Sequence, residues 1–434
     1  MSRFDREIIG LAVPALGALA ADPLVSIVDT IFVGRLGVTP LAALGVNTAI
    51  FGLAFVVFNF LAYGTTPRVA RAVGEGDLET AGRRAVQALT LGAVAGLVAL
   101  AVLELAAPVI VSVMGATGEL VGPALSYLRI RALAGPAVLL IMAGHGIFRG
   151  YQDTRTPFVV TLGLNVINLV LDPILIFGLG MGLEGAAWAT VVAQWTGAIL
   201  FLHLLLRSRR EELGIRLSLP RPRELLPFLR ISGELTVRTF ALLGTLTLAT
   251  AVATRVGTLQ VAAHQVASQL WLLLALTVDA LAVAGQAMVA KYRGAGDPRA
   301  ARAASNRLLV WGLAMGIALS ALFYALRAYL PRFFTDDTVV LAAIGGIMPF
   351  VIWMQPLNAV VFVWDGVFLG AERFRFLAVQ MALSGAAAAA VLLLVIPMGW
   401  GLQGVWWGIV TLMVVRFVTL GATYWRAGRV TAGG

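Results

Sequence analysis

The chain alternates long apolar stretches with short breaks that are charged or rich in Gly and Pro. A helix needs about 20 mostly apolar residues to cross the hydrocarbon core of a bilayer, and the stretches reach that length repeatedly. The pattern predicts about twelve membrane-spanning helices at residues 8–34, 41–66, 85–114, 124–148, 157–179 and 184–206, and then at 231–254, 261–290, 306–330, 339–369, 376–396 and 402–425. The stretches lack the apolar–polar alternation of a β-barrel strand. The predicted fold class is therefore all-α integral membrane.

Composition supports this class and excludes several others. Of 434 residues, 60% are apolar and 12% are charged, which no ordinary soluble domain shows. The net charge of +10 would suggest nucleic acid in a soluble protein. Here the arginines cluster between apolar stretches, so we interpret them as topology signals and expect the lipid bilayer, not nucleic acid, as partner. There is no cysteine, which excludes disulfides and cysteine nucleophiles, and no G-x-x-x-x-G-K-[ST] loop that would bind ATP.

The basic residues also predict the orientation of the chain. They follow the second, sixth, eighth and tenth predicted helices, whereas the connections after the fifth and eleventh carry neither Lys nor Arg. Because positive loops stay in the cytoplasm, both termini are expected there, in a multi-pass protein of the cell (inner) membrane. The first apolar stretch is too long for a signal peptide and has no small-residue cleavage site, so we interpret it as the first membrane helix.

The two halves of the chain repeat each other at a constant offset of 220 residues. Arg35-Leu36-Gly37 recurs as Arg255-Val256-Gly257, and Gly74-Glu75-Gly76-Asp77 recurs as Gly294-Ala295-Gly296-Asp297. An even number of helices in each half gives the copies the same orientation, related by an axis along the membrane normal. We predict two six-helix lobes, at 1–206 and 231–434, joined by a basic cytoplasmic linker at 207–230, with the substrate path between the lobes.

Polar residues in the first half are arranged along two helix faces. Asp22, Ser26 and Asp29 are spaced four and three residues apart on the first helix, beside Pro23, which is expected to bend it. The fifth helix carries a similar stripe of Thr161, Asn165, Asn168 and Asp172, followed by Pro173. An ionisable group near the bilayer centre costs at least about 2.5–3.5 kcal/mol, so each is a functional candidate.

Two carboxylates in an apolar lobe can share a proton or bind a hard cation, because both cannot be charged there without compensation. The alternative is that each Asp only hydrogen-bonds neighbouring helices, and this alternative stays open. For Asp22, a structural or vestibule role is weighed equally against ion coupling. The offset places Ala249 and Leu392 opposite Asp29 and Asp172, so the second half does not repeat the pair.

The second half offers different polar candidates within its predicted helices: Arg238, Asp279, Gln286 and Asp365. Arg238 and Asp279 could form a buried salt bridge or contact substrate or protons. Asp365 precedes Gly366 near a helix end, which favours a structural role.

Four stretches together resemble the motifs of the MATE (multidrug and toxic compound extrusion) transporters. They are VDTIFVGRLG at 28–37, GIFRGYQDT at 146–154, NLVLDP at 168–173 and GLEGAAWATV at 182–191. Asp279 ahead of GAGD at 294–297, together with DGVFLG at 365–370, is most similar to the DinF branch. Gln286 departs from that branch, which often has an acid there.

The resemblance implies a transporter, not an enzyme, that alternates between outward-open and inward-open states on an inward H+ or Na+ gradient, without another cofactor. The family's first-lobe cation site maps onto Asp29, Asn168, Asp172 and Thr190, with Tyr127 as the nearby hydroxyl, and Na+ would use the first four. We expect H+-coupled export of a small organic or drug-like compound, an organic cation or amphiphile, by a monomer. The alternatives are Na+ coupling and a flippase for lipid-linked precursors.

Overall fold

The computed structural model describes residues 2–432 except 217 and 219, with side chains described as far as residue 426. Its described residues form helices and turns, without a β-strand. The helices of the first half are α1 Arg3–Gly34, α2 Val38–Val56, α3 Phe60–Gly74, α4 Leu78–Val113, α5 Val121–Ala132, α6 Gly135–Gly150, α7 Arg155–Pro173 and α8 Gly182–His203. Those of the second half are α9 Pro222–Val256, α10 Thr258–Gly294, α11 Pro298–Leu326, α12 Thr338–Trp353, α13 Gln355–Gly370, α14 Phe374–Leu394 and α15 Gly401–Ala432.

In the described part of the chain, ten helical spans are long and apolar enough to cross a membrane, and two bent helix pairs raise the number to twelve. The prediction of an all-α membrane protein with about twelve spans is confirmed. The bent pairs are α5–α6, at 47°, and α12–α13, at 48°, where the sequence predicted single helices at 124–148 and 339–369. Pro136 and Pro356 are the second residues of the second helix of each pair. Proline has no N–H for the preceding turn, so the helix breaks at the same place in both halves.

The residues cluster into two compact units, one of Val13–Ser232 and one of Met1–Ala12 with Gly233–Gly434. We call these the first and the second lobe. The sequence division assigned residues 1–12 to the first lobe, whereas their contacts group them with the second. The linker predicted at 207–230 is part of the first lobe's unit, and its last residues already belong to α9, which begins at Pro222.

Two acidic side chains account for the grouping of the N-terminal residues. The carboxylate of Asp5 accepts hydrogen bonds from Arg307 Nε at 2.5 Å and from Trp311 Nε1 at 2.9 Å. Glu7 accepts from Lys291 Nζ at 2.9 Å and from Tyr292 Oη at 2.6 Å. Asp5 is 3% exposed, so its charge is held by these donors and not by water.

The repeat appears again in the close approach of helices at equivalent glycines. A Cβ atom on Gly146 would lie 3.0 Å from the carbonyl oxygen of Ala62, and one on Gly366 would lie 2.2 Å from that of Ala282. Both pairs are separated by the same 220 residues, as 366 is from 146 and 282 from 62. Each lobe therefore uses a glycine without side chain to bring two helix backbones together.

Candidate functional site

The first lobe contains a cavity of about 390 Å³ with a strongly polar lining. The polar side chains come from α1, α2, α5, α7 and α8, and they are Asp22, Ser26, Asp29, Thr30, Thr48, Tyr127, Arg131, Asn165, Asn168, Thr190 and Gln194. Apolar side chains, among them Phe51 and Leu164, complete the wall. The cavity has the size and the mixed lining of a small-molecule site.

The helical spacing seen in the sequence explains this arrangement. Residues three and four apart share one face of a helix. The whole first stripe lines the cavity, but of the second stripe only Asn165 and Asn168 do, whereas the Thr161 hydroxyl lies 3.1 Å from His145 Nε2. Asp172 lies in the last turn of α7 and is fully buried behind the lining. After Pro173 the backbone widens into a π-turn, Ile174–Gly178, in which the N–H of Leu179 donates to the carbonyl of Ile174 at 2.8 Å. Such widened turns are frequent at functional sites.

The central feature is a pair of carboxyl groups. The side chains of Asp29 and Asp172 lie within hydrogen-bonding reach of each other. Within the described residues, neither oxygen of Asp172 accepts a hydrogen bond from an N–H or O–H donor, and Oδ1 of Asp29 accepts none either. A carboxylate has no proton to donate, so a bond between the two requires that one of them carries a proton. The arrangement can therefore hold a proton, or a cation in its place.

Three further predicted residues surround the pair. Asn168 Nδ2 donates to the hydroxyl oxygen of Thr190 at 3.5 Å, and that hydroxyl donates to the carbonyl of Ala186 at 3.0 Å. Tyr127 is 7% exposed and lines the cavity, where the charges of both carboxyl groups act on it. The structure thus brings together all five residues that the resemblance implied.

A second polar contact lies in the same cavity. Asn165 Nδ2 donates to Asp22 Oδ1 at 3.0 Å, which joins the two secondary candidates of the first half. Arg131 acts electrostatically on both Asp22 and Asp29, and its guanidinium lies 5.1 Å from the ring centroid of Phe51. Arg131 was not among the residues predicted from the sequence. The signal for it was an arginine four residues after Tyr127 inside a predicted span.

The second lobe holds a separate buried ion cluster. Asp365 accepts a hydrogen bond from Arg238 Nη2 at 2.8 Å and a further one from Arg416. Asp365 is 3% exposed and Arg416 is 1% exposed. Arg238 thus pairs with Asp365, the residue for which the sequence favoured a structural role. Arg416, which was not among the candidates, is a second partner of Asp365. The pairing of Arg238 with Asp279 stays a prediction.

The remaining second-half candidates lie on α10. Gln286 is buried and Asp279 is half-buried, and neither lines the first-lobe cavity. In the part of the chain that the structure describes, no group of three or more His, Cys, Asp or Glu side chains is arranged to hold a metal ion. Any cation at the Asp29 site would therefore depend on amide and hydroxyl oxygens in addition to the two carboxylates.

The comparisons with known proteins agree with one another. The MatE family model matches twice, at residues 14–174 and 236–397. The chain is 37% identical over 444 residues to Protein DETOXIFICATION 44, chloroplastic, of Arabidopsis thaliana, covering 99% of this chain and 84% of that protein. It is 28% identical to DNA damage-inducible protein F of Escherichia coli, covering 98% and 93%.

A solved structure described as MATE in the bent conformation superimposes with a TM-score of 0.90 at 22% identity, covering 99% of this chain and 96% of that one. At this identity the likeness shows the fold alone. The family model, which matches most of the chain in two copies, carries the assignment together with the curated relatives. The chain belongs to the MatE family and is, like its relatives, a multi-pass membrane transporter of the multidrug and toxic compound efflux type, not an enzyme.

Proposed function

We propose that the chain is an H+-coupled antiporter that exports small organic or drug-like compounds by alternating access. The observation that carries this proposal is the Asp29–Asp172 carboxyl pair, which has no hydrogen-bond donor at Asp172 among the described residues. Two buried carboxyl groups in contact are most stable when they hold one proton or cation. Binding and release of that ion change the net charge of the cavity by one unit.

A charge change at this place can shift a conformational equilibrium. Asp29 is on α1, which contains Pro14 and Pro23 within one continuous helix. A proline removes one backbone hydrogen bond, so the turn beside it bends at lower cost than the rest of the helix. Proton uptake from outside would favour one packing of α1, and loss of the proton would favour the other. A substrate that binds only one of these two states is then coupled to the proton.

The proposal favours H+ over Na+ because the motifs of the chain are most similar to the DinF branch of the family. A hard cation would have to bind several oxygens at once, those of Asn168 and Thr190 in addition to the carboxylates. The carboxyl pair alone is sufficient for a proton. The cavity contains carboxylates and the phenol and phenyl rings of Tyr127 and Phe51, which suit an organic cation or amphiphile.

The test uses proteoliposomes that contain the full chain and a fluorescent organic cation, with pH and Na+ gradients imposed separately. The proposal predicts transport driven by the pH gradient, and transport at the rate of protein-free vesicles for Asp29→Asn and for Asp172→Asn. Glu104→Gln is the matched control, because it makes the same change of carboxyl to amide in the same lobe at a partly exposed side chain. It should transport like the wild type.

Two results would reject the proposal. If transport followed the Na+ gradient and ignored the pH gradient, the coupling ion would be Na+, with the same four oxygen-bearing residues as the site. If the Asp29→Asn variant kept gradient-driven export at normal expression, the carboxyl pair would have a structural role only. The proposal also includes a monomer in the cell membrane with both termini in the cytoplasm. Cysteine-accessibility labelling of single-cysteine variants at either end can check the position of the termini, and light scattering of the purified protein can check the monomer.

A further inference from the structure

The second lobe contains a cavity of its own, with a volume of about 350 Å³ and a basic lining. It lies where α10, α11, α13 and α15 meet, beside the loops that the sequence predicts to be cytoplasmic. Three arginines, Arg293, Arg302 and Arg373, contribute to the wall. Apolar side chains and Tyr424 form the rest of it, so the charges face a partly apolar space of small-molecule size.

The three arginines are not neutralised within the described structure. Arg293 and Arg373 are exposed, and no carboxylate of a described residue pairs with either. Arg302 is held in place, because its guanidinium lies 3.5 Å from the ring centroid of Tyr424 and its Nη1 donates to the carbonyl oxygen of Tyr424 at 2.8 Å. Neither contact supplies a negative charge. The side chains that line the cavity therefore carry three positive charges and no negative one.

Asp297, the acidic residue at the start of α11, forms a helix cap. Its Oδ1 accepts the backbone N–H of Ala300 at 2.8 Å. Asp77 makes the equivalent cap at α4, where its Oδ1 accepts the N–H of Thr80 at 2.8 Å. The same cap occurs in both lobes, so the repeat accounts for Asp297. It does not account for the three arginines.

The equivalent place in the first lobe is filled by the chain itself. The segment 209–216 lies against α4 and the end of α6, where Tyr151 Oη donates to the carbonyl of Leu213 at 2.5 Å. Arg209 Nη1 donates to Asp153 Oδ2 at 2.8 Å. A Cβ atom on Gly82 would lie only 2.1 Å from the carbonyl oxygen of Gly214, so the segment fits only because residue 82 has no side chain.

The residues that lie 220 positions further along the chain differ at each position that fits the segment 209–216 in the first lobe. Gly82 corresponds to Arg302, Asp153 to Arg373 and Tyr151 to Ala371, and Val73 corresponds to Arg293. The register at this turn is secure, because Gln152 and Glu372 are the two non-glycine residues with left-handed backbone among those described, at φ 64° and 57°. The second lobe lacks the groups that hold the segment 209–216 in the first lobe, and it has three arginines at the equivalent positions. In the described range, no other segment of chain occupies the space.

We propose that this second-lobe cavity binds a phosphate-bearing anion. Arginine presents a planar fork of N–H donors that matches phosphate oxygens, and basic pockets between membrane helices on the cytoplasmic side suit anionic headgroups. The phosphate could belong to an anionic lipid or to a soluble phosphate compound. The inference does not depend on the proposed transport activity, because it concerns a different cavity on the other lobe.

The experiment uses the purified full chain in two arms. In the first, native mass spectrometry measures binding of phosphatidylglycerol against phosphatidylcholine, whose headgroup carries no net charge. In the second, calorimetry measures binding of inorganic phosphate and pyrophosphate to protein in phosphatidylcholine nanodiscs. The test variant is Arg293→Gln/Arg373→Gln, which removes the two unpaired cations and leaves Arg302 packed on Tyr424. Its matched control is Arg299→Gln/Arg375→Gln, the same charge change at exposed arginines nearby that do not line the cavity.

The proposal predicts that at least one of these anions binds and that the test variant weakens its binding by at least about tenfold, since two charge-assisted hydrogen-bonding groups are lost. The control should change it less than about twofold, the effect expected of screened surface charges. Selective binding of phosphatidylglycerol identifies a lipid headgroup as source, and binding of phosphate or pyrophosphate identifies a soluble one. Equal loss in test and control variants, or no binding in either arm, overturns the proposal.

Discussion

The buried ion cluster of the second lobe allows a quantitative prediction. Asp365 is the shared acceptor of Arg238 and Arg416, and Arg416 is almost entirely buried. Asp365→Asn preserves the shape and one acceptor oxygen but leaves two like charges without their counterion. Removing one partner of a buried ion pair costs about 3–5 kcal/mol, and we expect the free energy of unfolding to fall by that amount.

The assay is equilibrium unfolding of the purified protein in mixed micelles, followed by tryptophan fluorescence. Asp337→Asn is the matched control in the same lobe. Asp337 caps α12 by accepting the N–H groups of Val339 and Val340, at 2.8 and 3.2 Å, and Asn caps a helix about as well. The control should therefore lose less than about 1 kcal/mol.

A double-mutant cycle separates the electrostatic cause from a packing cause. Arg416→Met removes one of the uncompensated charges, so the Asp365→Asn/Arg416→Met variant should be more stable than the sum of the two single losses predicts, by at least about 1 kcal/mol. The reasoning is refuted if Asp365→Asn costs no more than the Asp337→Asn control, or if the two single losses simply add.

Two further perturbations address helix packing and the linker. Gly366→Ala should destabilise the protein by about 1–3 kcal/mol, because its Cβ would lie 2.2 Å from the carbonyl oxygen of Ala282; Gly345→Ala, with open space around it, should be neutral or slightly stabilising. Asp153→Asn should cost about 1 kcal/mol at neutral pH through the loss of its pair with Arg209. Burial raises the pKa of Asp153, but hydrogen bonds, one of them from Arg209, outweigh this effect and hold that pKa below its usual range. The contribution of the Asp153 carboxylate to the free energy of unfolding should therefore persist at neutral pH and disappear as the pH falls below about 4.

The same unfolding assay checks both perturbations. Equal stability losses for Gly366→Ala and Gly345→Ala would contradict the close helix approach. For the linker, Glu79→Gln is the control, because Glu79 pairs with Arg216 on the surface, with 61% and 74% of the side chains exposed. Asp153→Asn should destabilise the protein more than this control at pH 7, and the difference should shrink as the pH falls below about 4. The reverse order at pH 7 would count against the pair.

Hydropathy was sufficient to predict the helices, because a membrane span imposes both length and apolarity on its sequence. The repeat was also visible in sequence, since glycines such as Gly146 and Gly366 are fixed by backbone contact. The bends at Pro136 and Pro356 were missed. A proline shows that a hydrogen bond is absent, but the angle depends on the helices packed around it.

Helical spacing was sufficient to place polar residues on one face of each helix, and the resemblance to the family joined Asp29 and Asp172 in one site. It could not identify partners across helices, which is why Asp365 was not foreseen as the partner of Arg238. Nor could it predict that Asp5 and Glu7 group residues 1–12 with the second lobe. Such pairings depend on tertiary contacts between residues far apart in the chain, 127 positions for Arg238 and Asp365 and 302 for Asp5 and Arg307, which periodicity within one helix does not encode.

The most direct test of the central claim is proton counterflow. Proteoliposomes containing a pH-sensitive dye are loaded with a transported organic cation, and the outward substrate gradient is imposed without an initial pH gradient and with the membrane potential clamped. Because coupling is reciprocal, substrate leaving the vesicles should drive protons inward and acidify the lumen, and Asp29→Asn and Asp172→Asn should abolish this signal. Substrate efflux without acidification, or acidification that survives both substitutions, would contradict the account.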